Sequence, residues 1–224
     1  MTYRNQVFLY SFLLAFCSLF YELVYAQLLS VCIGGTKTQY LITISLFTSA
    51  LGLGSLCFNY FRDKIQTDRL FFRIEFLLTI FGSLGPFFIA WLLQVTEEAV
   101  IVTTLKIGLS YFFIFIIGFL SGFELPCLFS LLNESHGKIM AYDYLGMLMA
   151  SILFPFVFLP GMGTAASTLF VANINVIALL WLSPQLKRSS KISFYFLNAL
   201  MFFAIYYFRA DLNELLTSLY LERH

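Results

Sequence analysis

Residues 7–31 read VFLYSFLLAFCSLFYELVYAQLLSV, and Glu22 is the only acidic or basic side chain among them. As a helix rising about 1.5 Å per residue, such a run spans roughly 37 Å, more than the ~30 Å hydrocarbon core of a bilayer. Lipid offers no water to unpaired backbone N–H and C=O groups, so a run of this kind must be helical. Arg4 ahead of it resembles the start of a signal peptide. The apolar stretch, however, continues past Leu28 and Leu29 without a small-residue cleavage site, longer than an h-region, and it reads as a retained first span.

Six further runs have the same character: Tyr40–Phe61, Leu70–Leu93, Val100–Leu132, Met140–Leu159, Ala165–Leu182 and Ile192–Phe208. Short polar connections separate them. The expected fold is therefore all-α, a polytopic membrane bundle of about seven transmembrane helices over residues 1–208, with a short interfacial tail over residues 209–224. The fourth run is too long for one upright span. Pro126, following Gly118 and Gly122, predicts a kink or break there, because proline lacks a donor and clashes with the preceding turn. Gly118 with Gly122, and Gly146 with Ala150, have the small-xxx-small spacing that lets helix backbones approach closely.

Composition agrees. The chain is 60% hydrophobic and only 11% charged, against about 25% charged in soluble domains, so its expected solvent is the lipid bilayer. The net charge is +1 and the basic residues are scattered, which excludes the basic stripe of a nucleic-acid binder. Cys17, Cys32, Cys57 and Cys127 stand singly in apolar runs, without the spacing of a zinc or redox site. Gly52-Leu53-Gly54 and Gly161-Met162-Gly163 are isolated, lacking the remainder of a nucleotide fingerprint. No catalytic set, cofactor or metal is expected. Arg4, Arg62, Lys64, Arg69, Arg73, Lys138, Lys187, Arg188 and Lys191 fall on the N-terminal side of the spans, against Lys37, Arg209 and Arg223 on the other, with Lys106 inside a span. Positive charge is retained inside, which predicts a cytoplasmic N-terminus in the cell inner (plasma) membrane and, with seven spans, an external C-terminus.

Five ionisable residues lie within the expected spans: Glu22, Glu75, Lys106, Glu124 and Asp143. A charge at the bilayer centre costs about 2.5–3.5 kcal/mol on insertion scales, so such residues face the bundle interior and mark a ligand site or pathway. Glu22, Glu124 and Asp143 are the leading candidates for an interior role. Glu75, close behind Arg69 and Arg73, reads more readily as a carboxylate snorkelling to the interface, and Lys106 as a packing counter-charge to one acid. Four acids against one lysine leave surplus negative character, which favours a bound cation. An organic cation is the better guest, because no histidine joins the acids to make a metal set. Tyr21, Tyr25, Tyr142 and Tyr144 flank Glu22 and Asp143 and have the chemistry of an aromatic cage around an ammonium group.

Several segments together resemble the membrane-embedded spermidine synthase (polyamine aminopropyltransferase) family. These are Phe20-Tyr21-Glu22-Leu23-Val24-Tyr25, Thr38-Gln39-Tyr40, Ala50-Leu51-Gly52-Leu53-Gly54-Ser55, Arg73-Ile74-Glu75, Gly122-Phe123-Glu124-Leu125-Pro126, Asp143-Tyr144-Leu145-Gly146, Phe154-Pro155 through Gly163, and Asn173-Ile174-Asn175. The resemblance implies an N-terminal bundle that in family members precedes a Rossmann-like domain acting on decarboxylated S-adenosylmethionine and putrescine. It covers the membrane part and not the catalytic part, so aminopropyl transfer by this chain alone is not expected. It does imply a link to polyamine chemistry, with ligand-binding positions at Glu22, Glu75, Glu124, Asp143, Tyr21 and Tyr144. Two roles follow: a bundle that binds or moves a polyamine through an acidic interior, or a membrane anchor or partner subunit for a separate soluble aminopropyltransferase. An aromatic-Glu-Leu triplet begins at Tyr21 and again at Phe123, three spans later, the arrangement of an inverted repeat such as transporters use.

Overall fold

A computed structural model describes residues 3–61, 67–94, 100–131 and 136–182, together with 199, 200 and 203. The described chain is helical, without strands. The helices are α1 (Tyr3–Ile33), α2 (Thr36–Phe61), α3 (Thr67–Gln94), α4 (Val100–Ser121), α5 (Glu124–Leu131), α6 (His136–Leu153), a π-helical stretch Phe154–Phe158, and α7 (Leu159–Leu182). Five stretches are long and apolar enough to cross a membrane: Phe8–Ile33, Thr36–Tyr60, Leu70–Leu93, Val100–Ser130 and His136–Leu180. The seventh expected span and the interfacial tail lie outside the described residues, apart from 199, 200 and 203.

The last of these stretches is 45 residues long, about twice what one crossing needs, and it folds back on itself. The rings of Phe158 and Phe170 lie 5.6 Å apart, and Ser167 donates to the Phe158 carbonyl at 3.1 Å. Twelve residues of unbroken helix would separate those rings by about 18 Å. The reversal comes at Gly163, whose φ of 74° and ψ of 176° suit only a residue without Cβ. The expected fifth and sixth spans are thus two antiparallel legs, joined within the expected connection.

The fourth stretch is broken, as expected, though not at the proline itself. Helical winding is lost at Gly122 and Phe123, and Pro126 then occupies the first turn of α5, where its missing N–H costs little.

Cross-chain contacts give each helix its direction. On α1 and α6, Ser11 donates to the Ile139 carbonyl at 3.2 Å and Phe20 meets Phe154 edge-on at 5.1 Å, so these two run parallel. On α2 and α4, Tyr111 donates to Gln39 at 2.5 Å and Ser55 to the Gly122 carbonyl at 3.0 Å, so these are parallel as well. Tyr10 against Phe71 and Tyr25 on the Phe81 carbonyl align α3 with α1. Both parallel pairs meet at glycine: a Cβ on Gly146 would strike the Phe12 carbonyl, and one on Gly122 the Leu51 carbonyl. Helix α1 is buried along most of its length, which makes it the axis around which the others pack.

Candidate functional site

Three acids from three helices converge beside α1. Glu75 projects from α3 and is 0% exposed; Glu124 opens α5; Asp143 lies on the buried face of α6. The charged neighbours acting on Glu124 are Glu75 and Asp143. Because the helix breaks at Gly122–Phe123, Glu124 stands in the first turn of a new helix. Ser121 lies beside the Glu124 carboxyl and Ser11 beside that of Asp143.

Neutral side chains hold Glu75. The Asn175 amide, from α7, donates to Glu75 Oε2 at 3.4 Å and to Thr79 Oγ1 at 3.2 Å, while the Thr79 hydroxyl donates to the Glu75 carbonyl at 2.8 Å. Among the described residues, Glu75 Oε1, Asn175 Oδ1 and the hydroxyls of Tyr10 and Tyr21 are buried without a hydrogen-bond partner. Both phenols sit close enough to Glu75 and Glu124 to interact with them electrostatically.

These positions correct the sequence reading in four respects. Glu75 does not snorkel: it belongs to the buried face of α3 that carries Thr79 and Ser83 one and two turns on, and the arginines preceding it in sequence say nothing of that face. Glu22 is buried but stands apart from the triad. It lies about 16 Å of helix from Ser11, the neighbour of Asp143, and although Tyr21 beside it is within reach of Glu75 and Glu124, none of the three acids is among the groups acting on Glu22 itself. Lys106 counters none of the three, being fifteen residues, about 22 Å of helix, before Ser121 on α4. The four-tyrosine cage does not form. Asp143 points inward, so its neighbours, turned by about 100° each way, point outward: Tyr144 is 59% exposed and Tyr142 is 41% exposed, the latter stacked on Phe8 at 5.1 Å. Tyr21 and Tyr25 instead pack on α3, at Gly82 and Gly85.

Tyr10, Thr79 and Asn175 went unrecognised as site residues because neutral residues in apolar sequence carry no charge signal. The Glu75, Thr79, Ser83 spacing of four was the available clue, since it puts polar groups on one helix face.

Fold and site together define a helix bundle with membrane-crossing lengths and an acidic interior. Its sequence is 32% identical over 187 residues to polyamine aminopropyltransferase 1 of Streptomyces coelicolor, covering 78% of this chain and 33% of that protein. It is 30% identical over 185 residues to the polyamine aminopropyltransferase of Oceanobacillus iheyensis, covering 76% and 34%, and 29% identical over 196 residues to that of Leptospira interrogans, covering 84% and 38%. Over these residues the chain is a homologue of the polyamine aminopropyltransferases, as its short motifs indicate, and the match is consistent with the N-terminal part of that family. The chain spans about a third of the length of the curated relatives it matches. No family model matches it, and no solved structure matches it.

Proposed function

We propose that this chain is a polyamine-linked bundle of the inner membrane that binds, and moves, a small organic polycation at an acidic interior site built from Glu75, Glu124 and Asp143. One observation carries this reading: the charged neighbours of buried Glu124 are two more acids. Ionised carboxylates that act on one another in a poorly solvated interior repel. A guest with several ammonium groups turns that repulsion into attraction. The relatives' names supply the polyamine class.

Movement, as against binding, is supported by how the helices pair. If α1–α2–α3 is matched with α4/α5–α6–α7, three of the main contacts have counterparts, α1 on α6 with α4 on α2, α1 on α7 with α4 on α3, and α3 on α7 with itself, while the contact of α1 on α2 has none of similar extent between α4/α5 and α6. The matched halves run in opposite directions, and Glu22 corresponds to Glu124. The opposed directions and the three matched contacts support reading the bundle as an inverted repeat, the arrangement that allows alternating access.

The test is spermidine-dependent thermal stabilisation of the detergent-purified protein. Glu124→Gln and Asp143→Asn keep shape and remove charge, so each should weaken the stabilisation while leaving the unliganded protein folded. If no polyamine stabilises the wild type, or both variants respond as the wild type does, the cation site fails. A membrane anchor or partner subunit for a separate aminopropyltransferase then takes its place.

A further inference from the structure

We propose that the acidic interior exchanges protons for the cation it binds, so that loading the site with an organic polycation expels protons from the carboxyl triad. The inference rests on the cation-site reading above and adds the coupling ion.

The groups facing Glu75 come from every helix around it. Helix α1 presents Tyr10, Cys17 and Tyr21; α5 presents Glu124 and Cys127; α6 contributes Asp143 through Glu124; α7 presents Asn175, which cannot ionise. On α4, which meets α3 through Phe113 against Phe81 and Phe88, Lys106 lies seven residues back toward the far end of the bundle. Each titratable group in this set is neutral or negative. Three carboxyls in so poorly solvated a place cannot all be ionised alone. Either protons or a cation must balance them.

A second observation shows what the site can receive. The phenols of Tyr10 and Tyr21 are fully buried and unpartnered, and they bracket Glu75: the Tyr10 ring packs on Phe71, one turn before it, and the phenol end of Tyr21 lies over Gly82, two turns after. With Glu75 Oε1 and Asn175 Oδ1 they make four unmet oxygens, each able to accept a hydrogen bond. An ammonium group only donates. Tyr10 and Tyr21 stand eleven residues, about 16 Å, apart on α1, so the separate ammonium groups of one polycation meet this set between them and at the same time favour the ionised form of each carboxyl, which gives up its proton. In a bundle with alternating access, the same linkage drives the cation one way as protons return the other.

Calorimetric titration of the full chain in two buffers of different ionisation enthalpy reads proton release directly. A bis-quaternary ammonium compound, which has no proton to lose, is titrated beside spermidine so that released protons are assigned to the protein. The expected result is buffer-dependent heat corresponding to net proton release with both ligands, reduced in Glu75→Gln and in Glu124→Gln, with the bis-quaternary compound binding more weakly because it has no N–H to donate to the unmet oxygens. Apparent affinity should also tighten as pH rises. Binding with buffer-independent heat in the wild type overturns proton exchange and leaves the cation site standing. Absence of both binding heat and thermal stabilisation removes the cation site and the exchange together. The wild-type measurement decides even if a variant fails to fold.

Discussion

The hydroxyl of Ser55 on α2 donates to the carbonyl of Gly122 at 3.0 Å, and Gly122 is the residue whose helical donor would be the N–H of residue 126, a proline. The break between α4 and α5 therefore frees a carbonyl that the neighbouring helix satisfies, and the same break sets Glu124 at a helix start. Ser55→Ala should destabilise the bundle by about 1–2 kcal/mol, the cost of leaving a buried acceptor unmet. Pro126→Ala supplies a competing donor, so Ser55→Ala should cost less in that background. Unfolding in detergent, arranged as a double-mutant cycle, checks this. Equal costs in both backgrounds would show that the proline does not create the need for Ser55.

Glycines separate into two groups with opposite expected responses. At Gly146 and Gly122 an added methyl meets backbone of α1 and α2, which cannot move aside, so alanine at either position should destabilise by about 1–3 kcal/mol. At Gly52 and Gly108 nothing lies within 4 Å, and alanine should be neutral or stabilise by about 0.5–1 kcal/mol through helix propensity. Melting temperatures of the four variants test the contrast of sign.

What the sequence made legible depends on which interactions are local. Span positions follow from hydropathy, and the reversal at Pro160–Gly163 from turn chemistry, so both could be read directly. Helix facing could not. Whether Glu75 snorkels or is buried depends on which side of α3 meets α7, and residues 67–75 alone do not specify that. The charge signal singled out Glu124 and Asp143 and grouped them with Glu22, because nothing in a sequence reports depth. Helix α1 shows that the missing information is axial: Glu22 and Ser11 share one buried helix yet lie about 16 Å apart along it. The tyrosine cage failed for a related reason, since sequence neighbours of an inward acid must point away from it.

Orientation gives a prediction independent of the site. Consecutive described spans alternate in direction, which returns the chain at Leu182 to the side of its N-terminus. With Arg4, Arg69, Arg73 and Lys138 on that side and Lys37 on the other among the described residues, and positive charge retained inside, a cytoplasmic reporter should be active at Arg4 and inactive at Gly35, and a periplasmic reporter the reverse. If residues 192–208 cross once more, His224 should report outside. A periplasmic signal at Arg4 would invert the whole arrangement.

The Asn175–Glu75 contact supports a prediction that distinguishes a functional acid from a structural one. Asn175 is the donor to Glu75 and also to Thr79, so Asn175→Leu removes both bonds and leaves a fully buried carboxyl without a donor, at an expected cost of about 1–3 kcal/mol. Glu75→Gln keeps an acceptor facing Asn175 and should cost less. Replacing both residues with leucine removes donor and acceptor together, and apolar replacement of a buried polar pair is often neutral or better. If Glu75 served only to join α3 to α7, the double leucine variant should behave as wild type in every assay. The expected outcome is a protein at least as stable as either leucine single variant that spermidine no longer stabilises. Retention of full spermidine response by the double variant would remove Glu75 from the cation site and confine it to packing between α3 and α7.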